Sequence, residues 1–203
     1  MKEAIDLYFL KNFFLSQIII EMIEKKSTSN VNSPSGNESY KTLLIIRHAK
    51  SSWENGVLTD FDRTLNERGL NDAPAMAKRL QKKNIAIDLL VSSPAKRAKK
   101  TAELFASVYE IKTDQIKFIP ALYHAPSNTF FEVISTIDDA ANTVAIFSHN
   151  PGITEFVNLL TENVQLDNMP TCGIFAVKIY STNWGNFVQA KKEFLFFDYP
   201  KNI

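Results

Sequence analysis

The sequence predicts an α/β fold, a three-layer sandwich built on a mainly parallel sheet with an antiparallel edge. Three observations predict it. Strand-length apolar runs alternate with segments of helical periodicity from residue 41 onward. Thr42–Ile46 and Thr143–Phe147 are apolar nearly throughout, as strands buried on both faces are. The last two strand-like segments are separated by Asn183-Trp184-Gly185 and so should pair as an antiparallel hairpin.

The elements follow in order. The first strand, Thr42–Ile46, runs into Arg47-His48. Thr64-x-x-Glu67 has the form of a capping box, and Leu70, Ala73, Ala77 and Leu80 keep helical spacing as far as Lys83. Ile87–Val91 is a second strand, stopping at Ser92-Ser93-Pro94. Ser93 suits an N-cap and Pro94 the first helical position, which puts Arg97 fourth in a helix with Ala98, Ala102, Leu104, Phe105 and Val108 on its apolar face. Phe118-Ile119 forms a short strand and Asn128–Ile137 a helix. The strand Thr143–Phe147 ends at Ser148-His149, and Asn150 and Pro151 open a last helix through Leu160. Gly173–Tyr180 and Asn186–Phe197 complete the hairpin.

Residues 1–40 differ from the rest. Met1–Lys26 is rich in Leu, Phe and Ile, but Lys11, Asn12, Ser16 and Gln17 break the run, so it is too interrupted to span a bilayer. It reads as a peripheral or docking helix, an extension without function, or less readily an imperfect secretory signal without a small-x-small cleavage site. Ser27–Ser39 is small and polar, a flexible linker. The expected organisation is an extension and linker over 1–40 and one folded domain over 41–203.

Composition narrows the function. With 23 basic and 22 acidic side chains the net charge is +1, which makes no case for nucleic acid or an anionic membrane as partner. An anionic ligand must then be held by a local basic cluster. The single cysteine excludes a disulfide framework and a multi-thiolate metal site, and suits the cytoplasm. Cys172 reads as a small packed residue before Gly173.

In such sheets ligands bind beyond the carboxyl ends of the strands. Here those ends carry Arg47-His48, Ser92-Ser93 and Ser148-His149, with Arg97 in the first turn of a following helix. No carboxylate lies at these ends, and there is no HExxH zinc motif, so no metal or cofactor is expected. Arginine pairs suit phosphate or carboxylate oxygens, and a neutral imidazole is a competent nucleophile. The set points to phosphoryl transfer through a phosphohistidine, with the second histidine stabilising transition-state charge.

These residues resemble the histidine phosphatase superfamily, of phosphoglycerate mutase-like fold. RHAKSSW, RTLNERG (Arg63–Gly69), SSPAKRAKKTA (Ser92–Ala102) and SHNPG (Ser148–Gly152) stand in the family's order. The resemblance implies His48 as nucleophile, Arg47 and Arg97 as phosphate ligands, His149 as electrostatic partner, and metal-free hydrolysis. DFDRTLNERG, LYHA, MPTCG and FDYPK resemble the SixA-type phosphohistidine phosphatases, over nearly all of 41–203 and none of 1–40.

There are departures. Ala49 stands where the family has Gly, and Glu54 where mutases carry Asn. Many relatives place an acidic proton donor where this chain has Ile119–His124, without a carboxylate. An alkoxide leaving group needs a proton, whereas a phosphohistidine ring can be protonated beforehand. The missing acid therefore favours a P–N substrate on a phosphorylated protein, with His124 either a substitute proton donor or a pocket-rim residue. Asp62 and Arg63 are expected to pair as a loop brace, and Trp53 and Tyr123 either to line the mouth or to be half-buried aromatics. Two alternatives stand beside this reading. One is a broad phosphomonoesterase on small phosphate esters. The other is an inactive module that binds phosphate or phosphoproteins.

Overall fold

The computed structural model of the protein describes residues 39–52 and 59–202. Met1–Lys26, nearly all of the linker, Trp53 and Glu54 lie outside those residues.

Six strands form one sheet in the order β3-β2-β4-β1-β5-β6. They are β1 (Lys41–Arg47), β2 (Leu89–Ser92), β3 (Lys117–Phe118), β4 (Thr143–Ser148), β5 (Ile174–Ile179) and β6 (Lys192–Asp198). β1, β4, β2 and β3 pair in parallel, and β5 and β6 add the antiparallel side. Among the described residues the α-helices are α1 (Glu67–Lys82), α2 (Lys96–Val108), α3 (Ser127–Ser135) and α4 (Gly152–Leu160).

The two-residue period of the strands sorts the core into two layers. Leu43, Ile45, Val144, Ile146, Phe175 and Val177 point to one face, in one cluster with Phe130, Val133 and Ile134 of α3 and Ile153, Phe156 and Val157 of α4. Leu44, Ile46, Ala145, Phe147, Ile174 and Ala176 point to the other, with Ala73, Met76, Ala77 and Leu80 of α1 and Ala102, Phe105 and Ala106 of α2. The apolar runs of β1 and β4 are continuous because both faces are covered. Each fully buried Leu, Ile, Val or Phe contributes about 1.5–3 kcal/mol of transfer free energy.

Element existence agrees with the sequence, and helix starts differ. The cap of α1 is Asn66, whose Oδ1 accepts from Gly69 N at 3.0 Å, and not Thr64. α2 begins at Lys96 with Ala95 at its N-cap, so Arg97 is its second residue. Ser93 has a different task in the site below. α4 begins at Gly152, after Pro151, while Asn150 uses its amide to hold Thr154, Asn168 and Met169. The hairpin's second strand begins at Lys192 because Trp184–Asn186 is a 3-10 turn, with buried Trp184 donating its indole N–H to Ala141 O at 2.8 Å. No helix among the described residues is long and apolar enough to cross a membrane.

Candidate active site

Strand register builds the site. Arg47 is level with Ser148, and Ser92 with Phe147, so β1, β2 and β4 end within one residue of each other. His48 N still donates to Ser148 O, and Ser93 N to Phe147 O, each extending the ladder by one step. His48, Ser93 and His149 therefore leave the sheet side by side.

Two glycines let other elements close on this edge. A Cβ on Gly69 of α1 would stand 2.1 Å from Lys50 O, and a Cβ on Gly152 of α4 would stand 1.8 Å from Ala125 O. Both neighbours are backbone carbonyls that cannot rotate away, which is the physical reason for glycine in RTLNERG and SHNPG. Ala49, by contrast, has no left-handed φ, is fully buried, and donates its N–H to Thr101 Oγ1 at 3.0 Å. Nothing at that position requires glycine.

The sequence-predicted residues His48, Arg47, Arg97, His149 and His124 all line one cavity of about 220 Å³, together with Lys50, Ser51, Asp60, Arg63, Asn150 and Thr171. His48 is 6 % exposed, and its Nδ1 lies 2.7 Å from Ala49 O. A carbonyl only accepts, so Nδ1 carries the ring proton and Nε2 the lone pair. Arg97, 3 % exposed, donates from Nε to His48 Nε2 at 3.2 Å. Burial, then the charges of Arg97, Arg47 and Arg63, hold the His48 pKa down to about 3 despite the Ala49 hydrogen bond.

His149 is 2 % exposed, and its Nε2 lies 2.8 Å from Ser93 Oγ. Burial first, then His48, Arg97 and His124, hold its pKa down to about 2. Its ring centroid is 5.1 Å from that of His48. Arg47 donates from Nη1 to Met169 O at 2.6 Å, and its buried Nε, like His149 Nδ1, has no hydrogen-bond partner among the described residues. The Arg47 pKa is lowered by burial and then by the neighbouring Arg97 charge. Like charges packed together, with buried N–H groups unmet, form an arrangement that an anion stabilises. Among the described residues no cluster of His, Cys, Asp or Glu is suited to a metal ion.

The description of the histidine phosphatase superfamily (branch 1) matches residues 43–118, which carry His48, Asp60, Arg63 and Arg97. Over those residues the chain is similar to the histidine phosphatase superfamily. An uncharacterized chloroplastic protein of Arabidopsis thaliana is 28% identical to this chain over 155 residues, covering 71% of this chain and 69% of the relative. The fold is that of the SixA structures. The protein histidine phosphatase SixA complexed with tungstate superposes with a TM-score of 0.67 at 20% identity, over 79% of this chain and 98% of that one. SixA from Agrobacterium tumefaciens gives 0.66 at 24%, over 78% and 97%.

The residue that sequence reasoning missed is Asp60, in the 3-10 turn Asp60–Asp62. It brings a carboxylate into a pocket expected to have none. Arg63 donates to its Oδ1 at 2.9 Å; Arg97 Nη2, Tyr123 OH and His124 Nε2 meet its Oδ2 at 2.8, 2.9 and 3.0 Å. Arg97 Nη1 also donates to the Asp60 carbonyl. The expected Asp62–Arg63 pair is therefore corrected: Arg63 pairs with Asp60, and Asp62 with Lys96 at 3.0 Å. Sequence separation favoured the adjacent partner, but the turn brings Asp62 to Thr59 and Lys96. Burial acts to raise the Asp60 pKa; hydrogen bonds from Arg63, Tyr123, Arg97 and His124 outweigh it and hold the carboxyl well below its usual range. The available signal was the unexplained acid in DFDRTLNERG.

His124 sits on the rim, its side chain 54% exposed, with a left-handed φ of 50°. Tyr123 is half-buried beside it. Cys172 is fully buried at φ 59° and gives its N–H to Arg47 O and His48 O, which shapes the turn beneath His48. Burial raises its thiol pKa, so it stays protonated.

Proposed function

We propose that this chain hydrolyses phosphohistidine on a phosphorylated protein by two successive transfers through His48. One observation carries the reading: the Nε2 lone pair of a buried, neutral His48 faces Arg97 in a small basic cavity, while Ala49 O fixes the tautomer. Attack by Nε2 on phosphorus forms the new P–N bond as the leaving group departs. The imidazole becomes more positive, and its Nδ1–H bond to Ala49 O strengthens as it does so. Arg47 Nε, without a partner among the described residues, takes one phosphoryl oxygen, and Arg97 adds the Nη protons that Asp60 leaves unspent. Ser93 Oγ accepts from Ala95 N at 3.3 Å, and we assign its hydroxyl proton to His149 Nε2, which leaves Nδ1–H as a further donor. Water then attacks the phosphorus of phospho-His48, and the neutral imidazole is regenerated.

Asp60 sharpens the substrate class. Held ionised, it has no proton to give to a departing alkoxide, although it lies in the cavity. His124 points its Nε2 proton at that same carboxylate, which favours a rim role over that of a donor. A ring leaving group that arrives protonated needs neither. A SixA structure of the same fold holds tungstate, a phosphate-like oxyanion, which supports oxyanion binding by this fold. The single buried thiol agrees with a cytoplasmic setting.

Rapid quenching of the enzyme with a ³²P-phosphohistidine peptide tests the reading. Acid-labile, base-stable label on His48 is expected, and none on His48→Ala. Full turnover by His48→Ala would overturn the mechanism. A wild-type rate on sugar phosphates above that on phosphohistidine would move the substrate class to phosphomonoesters.

A further inference from the structure

The mouth of the cavity has a composition that phosphate binding does not call for. Four cations, Arg47, Lys50, Arg63 and Arg97, line the cavity, and Asp60 is the one carboxylate among its described lining residues. It is not sealed away, since its side chain is 34% exposed. A carboxylate on the phosphate-binding Arg97 repels a phosphoryl group and competes with it. Beside it runs an aromatic edge. Phe61, 36% exposed, meets Tyr123 edge-on at 5.1 Å and 84°. Tyr123 in turn meets His124 at 4.2 Å and His149 at 5.6 Å. Arg97 ties this wall to the chemistry, with Nε on His48 Nε2 and Nη2 on Asp60 Oδ2. One guanidinium thus separates the nucleophile from an anion flanked by aromatic rings.

We propose that Asp60, Phe61, Tyr123 and His124 form a leaving-group subsite that takes the protonated imidazole ring of a phosphohistidine. The inference rests on the P–N reading above and adds the residues that select it. A cationic ring finds an ion pair at Asp60 and aromatic contact with Phe61 and Tyr123. A neutral sugar alcohol finds no charge to match. In the step, His48 Nε2 forms its bond to phosphorus while the substrate P–N bond breaks. The electron pair stays on the departing ring nitrogen, the other ring nitrogen keeps its proton, and neutral imidazole leaves. No proton is transferred. Asp60 acts earlier, by keeping the bound ring protonated at pH values where the free ring would lose its proton.

The groups facing Asp60 are Arg63, Arg97, the Tyr123 hydroxyl and His124; Arg47, Lys50, His48 and His149 share the cavity, and the Asp62–Lys96 pair lies on the same turn. If Asp60 served only to brace these arginines, it would be indifferent to the leaving group.

The experiment compares the full-length wild type, Asp60→Asn and Phe61→Leu on a phosphohistidine peptide and on 4-nitrophenyl phosphate, across the neutral pH range. Asp60→Asn slows both substrates because Arg97 loses its brace. The phosphohistidine rate falls about tenfold more than the aryl rate, and its high-pH limb moves about one unit towards acid. Phe61→Leu raises KM about threefold more for phosphohistidine, whose ring is cationic, than for the aryl ester, whose ring is neutral. Equal falls on both substrates with an unmoved pH limb would overturn the subsite and leave the P–N reading standing. A wild type that turns over the aryl ester but no phosphohistidine would overturn both. Should Asp60→Asn not fold, Phe61→Leu decides: an unchanged substrate ratio rejects the subsite.

Discussion

Gly152→Ala places one methyl group where the structure has no room for it. The added Cβ falls 1.8 Å from Ala125 O, against an ordinary contact of 3.4 Å or more. The chain at Ala125 and the start of α4 must part by about 1.5 Å, and neither is a flexible side chain. Overpacking of this kind costs about 1–3 kcal/mol. For a chain of this size the melting temperature then falls by about 2–4 °C per kcal/mol. The displacement also reaches the chemistry, because Ile153 N holds His149 O at 3.1 Å and Ala125 follows His124 directly. Misplacing a catalytic group by about 1 Å costs on the order of 100-fold in rate. Urea unfolding with a resolved midpoint and slope, and kcat/KM measured well below the transition, check both parts. A midpoint unchanged within error, with activity within about twofold of wild type, would refute the close-approach account.

Stability should depend on acid in a defined window. His48 and His149 ionise at about 3 and about 2 in the fold, against 6.5 when exposed, so below that value the unfolded chain binds more protons. Their contribution is complete above about pH 6.5 and is lost as pH falls towards the folded values; Asp60 adds a further loss below its ordinary 3.8. Urea midpoints should decline from pH 7 to 4, and less steeply for His149→Asn; a flat profile contradicts the buried neutral pair. Arg97→Lys keeps the charge but loses the fork that spans His48 Nε2 and Asp60 Oδ2, so kcat/KM should fall about 100-fold or more in steady-state assays. Arg79→Ala is the structural contrast. Arg79 binds Asp198 Oδ1 and the carbonyls of Tyr199, Pro200 and Asn202, so its loss should cost about 1–3 kcal/mol in unfolding assays while kcat stays within about twofold.

Much of this was legible in the sequence because it depends on local periodicity. Thr42–Ile46 and Thr143–Phe147 could only be strands covered on both faces, and they are β1 and β4. The ends of three strands announced where the histidines and Arg97 would meet. The helix starts were less legible. Ser93 and Asn150 look like caps, but tertiary partners claim their side chains, His149 for one and Asn168 with Thr154 for the other.

By itself the sequence determined the α/β layering and the strand ends at which His48, Arg47, Arg97 and His149 come together around one cavity. These follow from which residues end a buried strand or open the next helix. Only the tertiary structure decided where Asp60 goes. Its neighbours in sequence are Phe61 and Asp62, yet the groups that define it are Arg97 and Tyr123–His124, 37 and more than 60 residues away. A carboxylate's role depends on the donors around it in space, and no local pattern encodes that.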